Sequence, residues 1–273
     1  MSETHHHKQG EGHHTVDVAP GGLAVSARGY TLEVTPTVFE AGREEAFEMR
    51  ILDPEGRAVR DFDEQHEVRM HLIVIRRDLT YYQHLHPSLG ADGTWLVPLT
   101  LPELGVYRAF ADFAIDGEPL AIGVDLTAPG DYRPGPPVPT GIARADDYEV
   151  ALDVGVVATG TEAMLVFRIT RKGQVVLDLE PCLGALGHLV VLREGDLAYL
   201  HVHPVDASGT ADSASESRIT FHARFPSMGR YRLFLQFAHE GLRRASSYSG
   251  FHLRGSTLRG RLNQKIARSR SVS

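Results

Sequence analysis

Six histidines recur in two identical settings. HLIVIRRDLTYYQHLHP runs from His71 to Pro87 and HLVVLREGDLAYLHVHP from His188 to Pro204, aligned without a gap, with three histidines and the proline in register. Imidazole nitrogen suits copper, zinc and nickel, and copper generally binds such sites most tightly. Strand side chains alternate between faces, so His84 and His86 point one way and Leu85 the other, as do His201 and His203 around Val202. A His-x-His pair can place two nitrogens around one ion at the ~2.0–2.1 Å of a Zn–N bond. The third ligand needs a hairpin. A turn centred on Arg77-Asp78 predicts His71 opposite His84, and one centred on Glu194-Gly195 predicts His188 opposite His201, with Cβ atoms roughly 4.5–5.5 Å apart. Each copy is thus expected to hold one ion on one sheet face, through His71, His84 and His86 or through His188, His201 and His203. Packing is the alternative, because buried histidines bond locally and duplication would carry a packing motif twice.

Further ligands are candidates only. His66 precedes His71 in DEQHEVRMH and can swing in from a loop, Asp112 offers an oxygen, and His239 lies near the end of FLQFAHEG. Asp112 and Gln236 occupy matching positions in GVYRAFADF and GRYRLFLQF, so no general base recurs in both copies. That argues against a metal-dependent hydrolase or oxidase, and no catalytic residue is assigned. Cys182 is the single cysteine, read as a buried, inert thiol. It lacks the pattern of a blue-copper centre, and five scattered methionines do not make a Cu(I) thioether site. THHHKQGEGHH gathers His5, His6, His7, His13 and His14 in a tail with no packing pattern, read as a flexible metal-collecting arm or as part of a tag.

The elements that position these residues read as strands. GYTLEVTPTVFEAG and DYEVALDVGVVATG open the copies with alternating apolar positions, and EEAFEMRILDPEG and EAMLVFRITRKG follow, closed by polar Gly turns. Short strands at regular spacing predict an all-β chain of two tandem immunoglobulin-like or cupredoxin-like antiparallel sandwiches. APGDYRPGPPVPTG, with five prolines and three glycines, reads as a semi-rigid spacer. The predicted organisation is a His-rich tail over 1–20, a module over 21–128, a linker over 129–141, a module over 142–255 and a basic tail over 256–273, with the modules folding independently. Tyr107 and Tyr231, each two residues after a glycine, are expected to bond back to the backbone as tyrosine corners.

Composition excludes some classes. In 273 residues, hydrophobic content of 42% and charge of 23% fit a globular chain, and a net charge of −7 argues against nucleic acid as a partner. No apolar run approaches the roughly 20 residues of a transmembrane segment. The N-terminal MSETHHHKQGEGHH has no apolar core segment and reads as lacking a signal peptide.

Together GLAVSARGYTLEV, both histidine hairpins, GVYRAFADF and GRYRLFLQF resemble a family of bacterial tandem β-sandwich proteins commonly labelled secreted or heavy-metal-associated. The layout is similar to copper-resistance modules of CopC type. The resemblance implies an extracytoplasmic or secreted protein, with a membrane or extracytoplasmic protein as partner, although the absent leader leaves a cytoplasmic alternative. The expected function is binding of copper, alternatively zinc, for sequestration, resistance or delivery. The alternative is a non-enzymatic immunoglobulin-like interaction or structural module with packed histidines.

Overall fold

Outer strands follow the alternation in the sequence. In EEAFEMRIL, Phe47, Met49 and Ile51 are buried while their neighbours meet water, and in EAMLVFRITR the buried set is Ala163, Leu165, Phe167 and Ile169. One face in and one face out is the pattern of an antiparallel sheet covered on a single side. The computed structural model describes residues 20–135, 143–154, 157–200, 202–205 and 218–253, with backbone alone for 143–145, 203 and 243–253.

The first module contains β1 (Ser26–Ala27), β2 (Tyr30–Thr35), β3 (Glu44–Leu52), β4 (Met70–Arg76), β5 (Tyr82–Leu85), β6 (Ser88–Leu89), β7 (Trp95–Thr100), β8 (Gly105–Ile115) and β9 (Glu118–Ala128). The second contains β10 (Ala143–Ala145), β11 (Tyr148–Val154), β12 (Glu162–Arg171), β13 (Gln174–Val175) and β14 (Gly187–Arg193). It continues through β15 (Tyr199–Leu200), β16 (His203–Pro204), β17 (Arg218–Arg224), β18 (Gly229–His239) and β19 (Leu242–Leu253). The outer sheets run β1-β2-β3-β7-β6 and β10-β11-β12-β17-β16, with β13 beside β12, and the inner sheets run β5-β4-β8-β9 and β15-β14-β18-β19. The chain is two tandem immunoglobulin-like antiparallel sandwiches, each with its own core.

The inner strands do not alternate. MHLIVIR of β4 is buried at every position, and GHLVVLR of β14 at all but Arg193. Leu72 and Val74 face the core of the first sandwich, while Ile73 and Ile75 face a third core shared with Val190, Leu192 and Phe234 of the second. The inner sheets therefore pack on each other, giving four layers. Burial of each such side chain stabilises by about 1.5–3 kcal/mol relative to exposure, so this seam argues against the independence expected of the modules.

One arm closes the seam. Pro20 to Ala24 crosses from one module to the other: Gly22 N–H donates to the Ala121 carbonyl and Tyr199 N–H to the Gly21 carbonyl. Arg108 holds that segment through the Gly22 carbonyl, and a Cβ at Gly123 would meet the same oxygen at 2.2 Å, so only glycine fits there. The start of the spacer lies on the first module, with the Arg76 guanidinium 4.8 Å over the Tyr132 ring and Gly135 N–H donating to Asp78. Both tyrosine corners form, Tyr107 OH donating to the Glu103 carbonyl at 2.8 Å and Tyr231 OH to the Ser227 carbonyl at 2.9 Å.

The hairpin register differs from the sequence expectation in both copies. Ile73, not His71, pairs with His84, and Val191 pairs with Leu200, a displacement of two residues from the expected register in each copy. The cause is a longer turn. Arg76 N–H reaches the Tyr81 carbonyl and Arg193 N–H the Ala198 carbonyl, leaving four-residue loops. Within them Leu79 and Leu197 take φ of 65° and 61° and bury their side chains in the seam core. A two-residue displacement keeps every side chain on its expected face, because the strand period is two.

Candidate metal centre

His71 shares the seam face of β4 with Ile73 and Ile75, and His188 shares that of β14 with Val190 and Leu192. The histidines of the two copies thus face each other. His84 stands on β5, and His86 follows where the chain leaves the inner sheet for β6 of the outer one. His66 tops a tight turn in which Gln65 and Val68 exchange backbone hydrogen bonds, with φ of 52° at His66 and 66° at Glu67. Positive φ at both central residues is a type I′ arrangement. Cys182 and Ala185 exchange the same bonds around Leu183 and Gly184 in the second copy, so Cys182 is the counterpart of Gln65.

His71, His84 and His86 come together, offering one nitrogen each within 4.8 Å of one another. His71 Nδ1 and His84 Nε2 are 2.8 Å apart. His84 Nδ1 donates to Gln236 Oε1 at 2.9 Å, so its Nε2 is the lone-pair nitrogen that faces His71 Nδ1. His188 stands beside this group: its ring centre is 5.8 Å from those of His71 and His84 and 5.6 Å from that of His66. Its Nε2 donates to the Cys182 carbonyl at 2.8 Å.

Burial disfavours charge on His71 and His84. Desolvation, partly opposed by Asp112, and the neighbouring His86 and His188 bring His71 down to about 4. Desolvation also holds His84 well below the usual histidine range, reinforced by His71, His86 and His188. Neutral imidazoles are the form that ligates metal. Tyr199 is pushed well above the ordinary tyrosine range, by burial first and then by Asp112, so it stays a hydroxyl donor.

The remaining candidates divide. Asp112 lies opposite His71 on β8, and its Oδ2 accepts from Tyr199 OH of the other module at 2.7 Å. His239 lies apart from the cluster: Tyr148 OH donates to its Nδ1 at 2.7 Å and its Nε2 donates to Asp178 at 2.9 Å, a structural tie. His201 lies outside the described residues, as do His5, His6, His7, His13 and His14 and the basic tail over 256–273. His203 is described by its backbone, which pairs with His222 in the outer sheet. Among the described residues, one group of three or more possible ligands assembles; the second triad expected from the repeat includes His201 and the His203 side chain, which lie outside them.

Sequence reasoning passed over Gln236, Tyr199 and the Cys182 carbonyl as parts of the site. The available signal was the uninterrupted apolar run of β4 and β14, which marks strands covered on both faces.

Residues 25–130 and 143–249 each match the model of a family described as a domain of unknown function (DUF8832). No curated protein matches the chain. Among solved structures, the Yersinia pseudotuberculosis adhesin InvE is similar at 13% identity and a TM-score of 0.27, over 81% of this chain and 58% of that one. The Escherichia coli adhesin FdeC is similar at 12% identity and a TM-score of 0.28, over 83% of this chain and 65% of that one. The bacterial integrin-binding protein invasin shows 16% identity and a TM-score of 0.24, over 84% and 41%. The chain spans less than two thirds of each of these proteins. Scores this low assign no function.

Proposed function

We propose a function for a chain that belongs, through both of its halves, to the DUF8832 family: it holds a divalent metal ion, copper or zinc, among buried histidines, without catalysing a reaction. The observation that carries this reading is the approach of His71, His84 and His86 to within 4.8 Å of ligand atoms. An all-imidazole set suits Cu2+ and Zn2+, and bound copper or zinc would supply a Lewis acid beside the Asp112 carboxylate. His84 keeps its orientation through Gln236, and the Asp112 carboxylate is engaged by Tyr199, which leaves it poorly placed to activate water. Sequestration or delivery of the ion outside the cytoplasm follows from the resemblance of the hairpin motifs, with an extracytoplasmic protein as recipient.

The test is calorimetric titration with Zn2+ and with Cu2+ at neutral pH, on the full chain with His5, His6, His7, His13 and His14 replaced by serine. Binding tighter than micromolar is expected, with little net proton release from His71 and His84, which are already neutral at that pH. Binding no tighter than millimolar would leave the second reading, an interaction module whose histidines only pack. That reading is favoured by the bonds already made by His84 to Gln236 and by His188 to the Cys182 carbonyl.

A further inference from the structure

We infer that the two modules share a single ion: His188 of the second completes the shell begun by His71, His84 and His86 of the first, and the ion fastens the inner sheets together. This rests on the metal-holding reading above.

Ring spacing is the first argument. Imidazoles bonded at ~2.0–2.1 Å around one tetrahedral ion have ring centres roughly 5 Å apart. The centres here are 5.0 Å apart for His71 and His84, 5.2 Å for His71 and His86, and 4.8 Å for His84 and His86. His188 stands at 5.8 Å from both His71 and His84, longer than that spacing and outside the group of three, so its side chain must move inward to join them.

Tautomer is the second. A carbonyl oxygen only accepts, so His188 Nε2 carries the proton given to Cys182, and Nδ1 keeps the lone pair. Ligating histidines typically hand their other N–H to a carbonyl or carboxylate in this way. The same logic frees His84 Nε2, because Nδ1 donates to Gln236. Gln236 is the cross-strand partner of His188. The second module therefore supplies one ligand and orients another.

The consequence is mechanical. Ligands from β4, β5 and β14 meet only when the inner sheets are docked, so an ion bound at this point stabilises the docked form by mass action.

The experiment uses the full chain with the five tail histidines replaced by serine, Zn2+ for affinity and stoichiometry, and Co2+ for the absorption of a four-coordinate site. One Zn2+ per chain is expected. His84→Ala should abolish binding, and His188→Ala should weaken it at least tenfold and diminish the Co2+ spectrum. His188→Gln, which can still donate to the Cys182 carbonyl, should behave like His188→Ala if ligation rather than folding is lost. Unchanged affinity and spectrum in folded His188 variants, with His84→Ala inactive, overturns the sharing and leaves the metal reading standing. Two ions per chain, one of them kept in the His188 variants, does the same. Absence of binding by the parent chain removes both.

Discussion

Asp112 and Gln236 occupy matching positions on β8 and β18, and each reaches into the other module. Asp112 accepts from the Tyr199 hydroxyl at 2.7 Å, and Gln236 accepts from His84 Nδ1 at 2.9 Å. The aromatic neighbours repeat the exchange, with Tyr82 stacked on Phe234 at 4.4 Å and Phe110 against Tyr199 at 5.4 Å. Duplication supplied two similar faces, and a pair of non-identical residues makes their contact asymmetric: the carboxylate sits beside His71 and the amide beside His188.

Replacing Gln236 by leucine removes the acceptor that orients His84 while filling similar space. Loss of such an outer partner typically costs about 10- to 100-fold in metal affinity. Zn2+ affinity of the Gln236→Leu chain should fall in that range with stoichiometry unchanged, and parent-like affinity would show that His84 needs no help from the second module.

Tyr199→Phe leaves the buried Asp112 without its hydroxyl donor. Removing one partner of a buried polar pair costs on the order of 1–3 kcal/mol. Urea unfolding of metal-free protein should show that loss, with much of it recovered in the Tyr199→Phe/Asp112→Asn double variant. Equal midpoints for parent and Tyr199→Phe would mean the pair contributes nothing net.

Stability of the metal-free chain should fall in acid. The His71 value is lowered to about 4 by burial, while in the unfolded chain it titrates near 6.5. Between these values the unfolded state binds more protons, so the contribution is complete above pH 6.5 and lost as pH falls to about 4. For His71 this is on the order of 3 kcal/mol, and the lowered His84 acts in the same direction. Urea midpoints in the presence of chelator should drop between pH 7.5 and pH 4.5, and less so for His71→Gln. A flat profile in the parent would contradict the burial of these rings.

The halves expressed alone should not behave as independent monomers. Residues 20–135 would present Ile73, Ile75, Leu79 and Phe110 to water, and residues 143–255 would present Val190, Leu192 and Phe234. Exposed apolar faces of this kind drive association, so each half should self-associate and the two should form a one-to-one complex when mixed. Two well-behaved monomers that ignore each other in sedimentation would show the seam to be weak.

The sequence by itself determined the strands, the two sandwiches and the face on which each histidine lies. Alternation fixes those, and even a misjudged turn around Leu79 and Leu197 left His71, His84 and His188 on their expected side, since the error was a whole strand period. Repetition suggested two equal sites, because identical spacing in His71/His84/His86 and His188/His201/His203 says nothing about where the two copies lie in space. Only the tertiary structure decided that their histidine faces meet. Apolar residues on both sides of β4 and β14 demand a cover on each side, and the cover each inner sheet found was the other one. That docking brings His188 beside His71 and His84, and it separates His239, which Tyr148 and Asp178 hold elsewhere.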